Sequence, residues 1–323
     1  MKSLATALLL FSLTPFAKAQ FPLTPNEKPF TIEAEYAKQS KRYKDITVAQ
    51  PAISSDVKLI SDIIYSKTSK RKLKADLFLP SHSKGARPMQ LVILIHGGGW
   101  RSGDKSLDHS MATALANEGI AALCIEYRLS AEALYPAALL DISSAIEWSK
   151  SQAKKYRWDA ESIFLLGSSA GGQMASLLGS ANATYAKFLP NPKNPELYRV
   201  RGVINIDGVQ AFIHPESAEG EDRADKLSAA TMWFGAPLSQ DSASRIEASA
   251  LTHVNKSSAP FLFVRSGQPR FHAGDVEMRQ ALRQYKITYE LYESGDTPHT
   301  FWLFNPWFNP LMDNIVAFIK AER

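Results

Sequence analysis

The stretch Ile163-Phe-Leu-Leu-Gly-Ser-Ser-Ala-Gly-Gly-Gln-Met-Ala-Ser-Leu-Leu178 decides the fold. Four apolar residues of a buried strand run into Gly167-Ser-Ser-Ala-Gly171 and then into an amphipathic stretch, which reads as strand, sharp turn, helix. Such a turn strains the backbone of its central residue, Ser169, and brings strand and helix too close for side chains at the flanking glycines. Ser169 is thereby lifted above a sheet at a helix N-terminus. There the helix dipole and the Ala170 N–H can stabilise an oxyanion, which makes Ser169 the candidate nucleophile.

Outward from this turn, short apolar runs alternate with helical patterns. Leu91–Ile95, Ile120–Ile125, Ile163–Leu166, Val203–Ile206, Phe261–Val264 and Tyr289–Tyr292 read as strands. Leu59–Tyr65 and Leu73–Leu79 read as a hairpin around a basic turn. Helices are expected at about 107–117, 137–153, 170–180, 276–285 and 311–321. The pattern is that of an α/β fold: a mostly parallel sheet of about eight strands, flanked by helices. Residues from about 208 to 259 are too many for a simple crossover and read as a cap or lid inserted over the site.

The domain is expected to span residues 56–323, behind a surface leader at 20–55 that is polar and shows no clear periodicity. Residues 1–19 read as a signal peptide: Lys2, an apolar run from Leu4 to Leu13, and Ala17-Lys-Ala19 before the cleavage point, which implies a secreted or periplasmic protein. No segment reaches the length of a membrane span. Of the formal charge of +5, Lys2 and Lys18 belong to that leader, leaving an interspersed +3 with no nucleic-acid signature. The one cysteine, Cys124, sits in an apolar run and reads as core. No histidine pair has metal-ligand spacing, so no metal is expected.

Two further stretches complete the chemistry. His96-Gly-Gly-Gly-Trp100 closes the strand Leu91–Ile95, and backbone free of side chains there can turn its N–H groups toward substrate, so Gly98 and Gly99 join Ala170 as candidate oxyanion donors. His96 suits holding that loop better than moving protons. His299 follows the last strand and stands after the serine in chain order, where it can serve as general base and then general acid.

His96-Gly-Gly-Gly-Trp-Arg-Ser-Gly-Asp-Lys105, Glu126-Tyr-Arg-Leu-Ser130, Tyr135-Pro-Ala-Ala138 with Asp141, and Gly167-Ser-Ser-Ala-Gly-Gly172 together resemble the α/β-hydrolase esterases related to hormone-sensitive lipase. They are most similar to the bacterial branch that holds acetylxylan and feruloyl esterases. The resemblance runs from about Asp62 to the C-terminus. It implies a serine esterase that needs no cofactor and removes acetyl, methyl or feruloyl groups from plant cell-wall polysaccharides such as pectin or xylan. A general carboxylesterase or lipase acting on small acyl esters is the alternative within the class, and a non-catalytic binding protein of the same fold is the alternative outside it. The partner is thus a small-molecule ester or a polysaccharide; the sequence says nothing of oligomeric state. Arg128 and Asp141 match motif positions and read as a structural charge pair.

The chain departs from that pattern at the acid. Where the family usually carries it, a few residues beyond Ser266-Gly267, this chain has Arg270, which cannot orient His299. Asp207, at the end of the strand Val203–Ile206, resembles the acid of lipases that take it from that strand, and is favoured over Asp275. Asp296, Glu277 or a water-assisted dyad remain as other readings. Arg270 and His272 are expected near the histidine, where an arginine fork suits a substrate carboxylate such as a uronate. Trp100 and Trp302 are expected to offer stacking faces to a sugar or an acyl group, alongside Phe304, Trp307 and Phe308, some of which must simply pack.

Overall fold

Leu91-Val-Ile-Leu-Ile95 contains no polar residue because both of its faces are covered. Leu91, Ile93 and Ile95 belong to one buried apolar cluster, Val92 and Leu94 to another, and the sheet lies between them. A computed structural model describes residues 29–81, 87–220, 222–223 and 226–322. The expected signal peptide at 1–19 and the first part of the leader, 20–28, lie outside the described residues.

The chain begins with helix α1 (Ile32–Gln39) and a two-residue strand β1 (Thr47–Val48). The hairpin follows, β2 (Val57–Lys67) and β3 (Lys72–Pro80), then β4 (Met89–Ile95), α2 (His109–Asn117), β5 (Ala121–Ile125) and α3 (Ala137–Tyr156). β6 (Trp158–Ser168) leads into α4 (Ala170–Ala181), then come β7 (Gly202–Ile206), α5 (Ala229–Phe234), α6 (Ser242–Glu247), β8 (Phe261–Arg265), α7 (Asp275–Gln284) and β9 (Tyr289–Glu293). A short β10 (Phe304–Asn305) and α8 (Phe308–Ala321) end the described chain.

The main sheet has eight strands in the order β2-β3-β5-β4-β6-β7-β8-β9. The first two pairings are antiparallel and the rest parallel, the architecture of an α/β-hydrolase. α3 and α4 place Leu139, Ile142, Met174 and Leu177 on one face, whereas α2 and α8 place Met111, Leu115, Leu311 and Ile315 on the other. β4 and β6 lie at the middle of the order, so the loops at their carboxyl ends, His96–Trp100 and Ser168–Ala170, are neighbours. The insertion between β7 and β8 is a chain of short helical pieces, α5, α6 and 3₁₀ turns at Pro215–Gly220 and Ala250–His253, which forms one wall above that point.

The described part of the expected surface leader carries short regular elements of its own. Thr31 accepts a hydrogen bond from the Ala34 N–H and so caps α1, Ile46 and Ala49 are buried, and β1 pairs antiparallel with β10. A two-turn helix with no buried residue carries little helical periodicity to read. Among its contacts are two with distant residues, Glu35 with Thr300 and Tyr36 with Phe304.

Candidate active site

Ser169 adopts φ 53°, ψ −117°, a conformation tolerated because its surroundings over-determine it. The Ser169 N–H donates to the Ile206 carbonyl at 2.7 Å, and a Cβ on Gly171 would stand 1.9 Å from the Ile95 carbonyl oxygen, so no side chain fits there. The β4 terminus, the turn and α4 are therefore locked together. Ser169 lines a cavity of about 1400 Å³.

His299 Nε2 lies 2.9 Å from Ser169 Oγ, and His299 Nδ1 lies 2.9 Å from Asp207 Oδ2. Asp207 follows β7 directly, with φ 50°, and its side chain has no exposed surface. Its other oxygen accepts the Ser266 N–H at 2.8 Å, and its own N–H donates to the Val264 carbonyl at 2.9 Å. Asn205 secures the turn from beneath: its amide oxygen accepts the Gly208 N–H, and its amide nitrogen donates to the carbonyls of Gly172 and Gly208 and to Ser176 Oγ. With Nδ1–H donated to Asp207, Nε2 faces Ser169 as an acceptor, so His299 can take the serine proton and Asp207 can stabilise the imidazolium that forms. The sequence had no signal for Asn205 or for Phe271, whose ring stacks on His299 with centroids 3.4 Å apart.

The competing acids are engaged elsewhere. Asp275 is buried between Arg265, at 2.9 Å, and Arg279, at 3.2 Å, and burial raises its carboxyl above the usual range even there. Asp296 is exposed and pairs with Arg42, and Glu277 lies beside His214.

Gly98, Gly99 and Trp100 have φ of 111°, 62° and 58°, three successive residues in the left-handed region that curl the loop where it lines the cavity. A Cβ on Gly98 would meet the Ser102 carbonyl oxygen at 2.1 Å. Ala170 is the first residue of α4, where an N–H has no partner one turn earlier in the helix. Gly98, Gly99 and Ala170 all line the cavity beside Ser169. The loop is held from behind: buried His96 sits 2.7 Å from the Gly97 carbonyl and stacks on Tyr127, and burial pushes its imidazole down to about 4, keeping it neutral.

The residues expected to touch substrate divide. Trp100 and Arg270 line the cavity; Trp100 Nε1 donates to Gln173 Oε1, and Arg270 lies over the Phe271 ring. Trp302 and His272 do not reach the cavity. Trp302 is 2% exposed and packs edge-on against His299, and His272 Nε2 lies 3.3 Å from the Ser266 carbonyl, so the one supports the site and the other turns away from it. Phe304 and Phe308 are likewise buried. Arg128 and Asp141 form a close, multiply bonded pair at 2.7 Å, away from the cavity. Among the described residues no three histidine, cysteine or carboxylate side chains come together as metal ligands, and no helix is long and apolar enough to cross a membrane.

Known proteins share this framework. Esterase LipC of Mycobacterium tuberculosis is 28% identical over 144 residues, 44% of this chain and 36% of the relative, so the match spans little more than a third of that relative's length. Ethyl acetate hydrolase of Pseudomonas putida is 22% identical over 295 residues, 90% of each chain. A solved structure titled as a truncated carbohydrate esterase from gut microbiota superposes with a TM-score of 0.67 at 17% identity, covering 84% of this chain and 99% of the other. The BD-FAE family model matches residues 75–270, more than half of the sequence and the part that carries Gly98, Ser169 and Asp207, and the chain belongs to the BD-FAE family.

Proposed function

We propose that this chain is a serine esterase. Ser169 attacks an ester carbonyl while His299 takes its proton, and Gly98, Gly99 and Ala170 donate to the oxyanion. His299 returns the proton to the departing alcohol, and water then releases the acid by the same route. The observation that carries this reading is the unbroken chain Asp207–His299–Ser169, with both links at 2.9 Å, lining a wide cavity.

The substrate we infer is an acetyl ester on a plant cell-wall polysaccharide. The cavity is large, and its lining includes both polar and charged side chains, among them Lys38, Arg42, Gln268 and Arg270, which suit a hydroxyl-rich alcohol larger than ethanol. The name of the Pseudomonas relative supports acetate as the acyl group. Incubation with acetylated, methylated and feruloylated pectin and xylan, with identification of the small product, tests this; release of methanol or ferulate in place of acetate, or of no product, overturns it, and Ser169→Ala must abolish whatever is released. A general carboxylesterase would instead favour nitrophenyl esters over every polysaccharide.

Arg270 in the lining supports recognition of a carboxylated sugar. Its removal also loosens Phe271, so two substrates are needed: Arg270→Ala is expected to lower kcat/KM on acetylated pectin about tenfold more than on acetylated xylan, a difference of about 1.4 kcal/mol. Equal losses on both rule out a uronate contact. The same reading has residues 1–19 removed on export, and N-terminal sequencing of the exported protein would begin at Gln20.

A further inference from the structure

His299 sits on an irregular loop between β9 and β10, so neither helix nor strand fixes its place. Its ring is held by Asp207, Phe271 and Trp302. Its backbone has another anchor. The next residue, Thr300, is 4% exposed, and its hydroxyl donates to Glu35 Oε2 at 3.1 Å across 265 residues of sequence. No other partner of that hydroxyl exists among the described residues. Glu35 is itself oriented by Gln39, at 3.2 Å, and Lys38, at 3.3 Å, on the same helix.

The segment that carries Glu35 is tied at both ends to the reacting parts of the molecule. At its start the Phe30 N–H donates to Ser102 Oγ at 3.3 Å, and Ser102 bonds back to the Gly98 carbonyl through its N–H, at 3.1 Å, and its hydroxyl, at 3.3 Å. At its end Tyr43 stands edge-on to Trp307, the Ala49 N–H donates to the Leu303 carbonyl at 2.9 Å, and β1 pairs with β10. The exposed Arg42–Asp296 pair adds little. One short stretch of chain thus spans from the oxyanion loop to the histidine loop.

We propose that residues 30–49 form a strap that fixes the His299 loop relative to the oxyanion loop, with Glu35, acting through Thr300, as its positioning residue. A base displaced by a fraction of an ångström still binds substrate but meets the serine proton poorly, so the strap acts on kcat rather than KM. The kinetic arm of the test rests on the esterase reading; a spectroscopic arm does not. In the full-length protein, Thr300→Val and Glu35→Ala each remove the bond, and Glu35→Gln keeps an acceptor for it. With nitrophenyl acetate, the first two are expected to lower kcat on the order of tenfold with KM changed less than about twofold, and Glu35→Gln to stay near the parent. The far-downfield His299 Nδ1 proton, assigned through its loss in His299→Ala, is expected in the parent and in Glu35→Gln, and broadened in the other two, all with parental circular dichroism.

The proposal is overturned if Thr300→Val and Glu35→Ala keep both the parental kcat and the sharp resonance, or if Glu35→Gln falls as far as Glu35→Ala, which would make the charge and not the tie the cause. If the parent hydrolyses no ester, the esterase reading fails by itself and the resonance decides: broadening in Thr300→Val upholds the strap, and an unchanged line removes it.

Discussion

At the residue scale, three aspartates near the site share one side-chain chemistry and have three environments. Asp207 is enclosed and bonded to His299 and to the Ser266 N–H; Asp275 is enclosed between two arginines; Asp296 is in solvent. The first environment alone gives a carboxylate a histidine to orient. Asp207→Asn turns an acceptor toward Nδ1 into a donor, which forces the proton onto Nε2 and removes the acceptor that Ser169 needs. A loss in kcat on the order of 10³- to 10⁴-fold is expected in steady-state kinetics, with the fold intact. Asp275→Asn is expected to leave kcat within about twofold and to lower stability by about 1–3 kcal/mol in urea titration, because it removes the negative charge that Arg265 and Arg279 share and turns one of its two acceptor oxygens into a donor. The reverse pattern would move the acid to Asp275. The place of Asp207 beside His299 was legible as the favoured arrangement because a strand end next to the strand that leads into Ser169 is a place the sequence pattern defines. That Arg270 would lie over Phe271, and Phe271 on His299, was not, since stacking across a loop leaves no periodic trace.

At the element scale, the start of α2 carries a tension of its own. Asp108 precedes the helix, where the dipole favours an anion, yet its side chain makes no capping bond, its Oδ2 is buried with no hydrogen-bond partner, and burial, aided by Asp104, pushes its carboxyl up to about 8. The folded value thus lies above the unfolded one, near 3.8. Between those two values the native state holds a proton that the unfolded chain has released, so stability falls as pH rises from about 4 toward 8. Asp108→Asn has no proton to hold. It is expected to match the parent near pH 4 and to exceed it by a few kcal/mol at pH 8 in denaturant titrations; parallel pH profiles for the two proteins would refute this. The strands of the main sheet and its longer helices were readable because apolar runs of period two or 3.6 record which faces are covered. α1 was not, because a two-turn helix with no buried residue is stabilised by its cap and by distant loops.

At the scale of the whole molecule, the insertion between β7 and β8, the glycine loop before Trp100 and the helix that follows Ser169 meet at one side chain. Gln173 on α4 accepts from Trp100 Nε1 at 3.1 Å and donates to the Ala248 carbonyl, beyond α6, at 2.8 Å, while Trp100 stacks on Trp233 of α5 with centroids 5.0 Å apart. Gln173→Met fills the same space and leaves both partners buried and unsatisfied. A loss of about 2–4 kcal/mol in stability is expected, together with a fall in kcat as the oxyanion loop loosens; a parental melting temperature would show that the cap is held by its aromatic contacts alone. By itself the sequence determined the sheet, the strained turn at Ser169, the glycine loop before Trp100 and the place of His299 after the last strand of the main sheet. Each of these is dictated locally, by periodicity or by backbone too crowded for side chains. The tertiary structure decided which aspartate faces the histidine, that Trp302 supports the site without lining it, and that the N-terminal segment spans its two working loops. Those outcomes depend on contacts between residues tens to hundreds of positions apart, whose distances are set by packing and leave no mark on the neighbours of either residue.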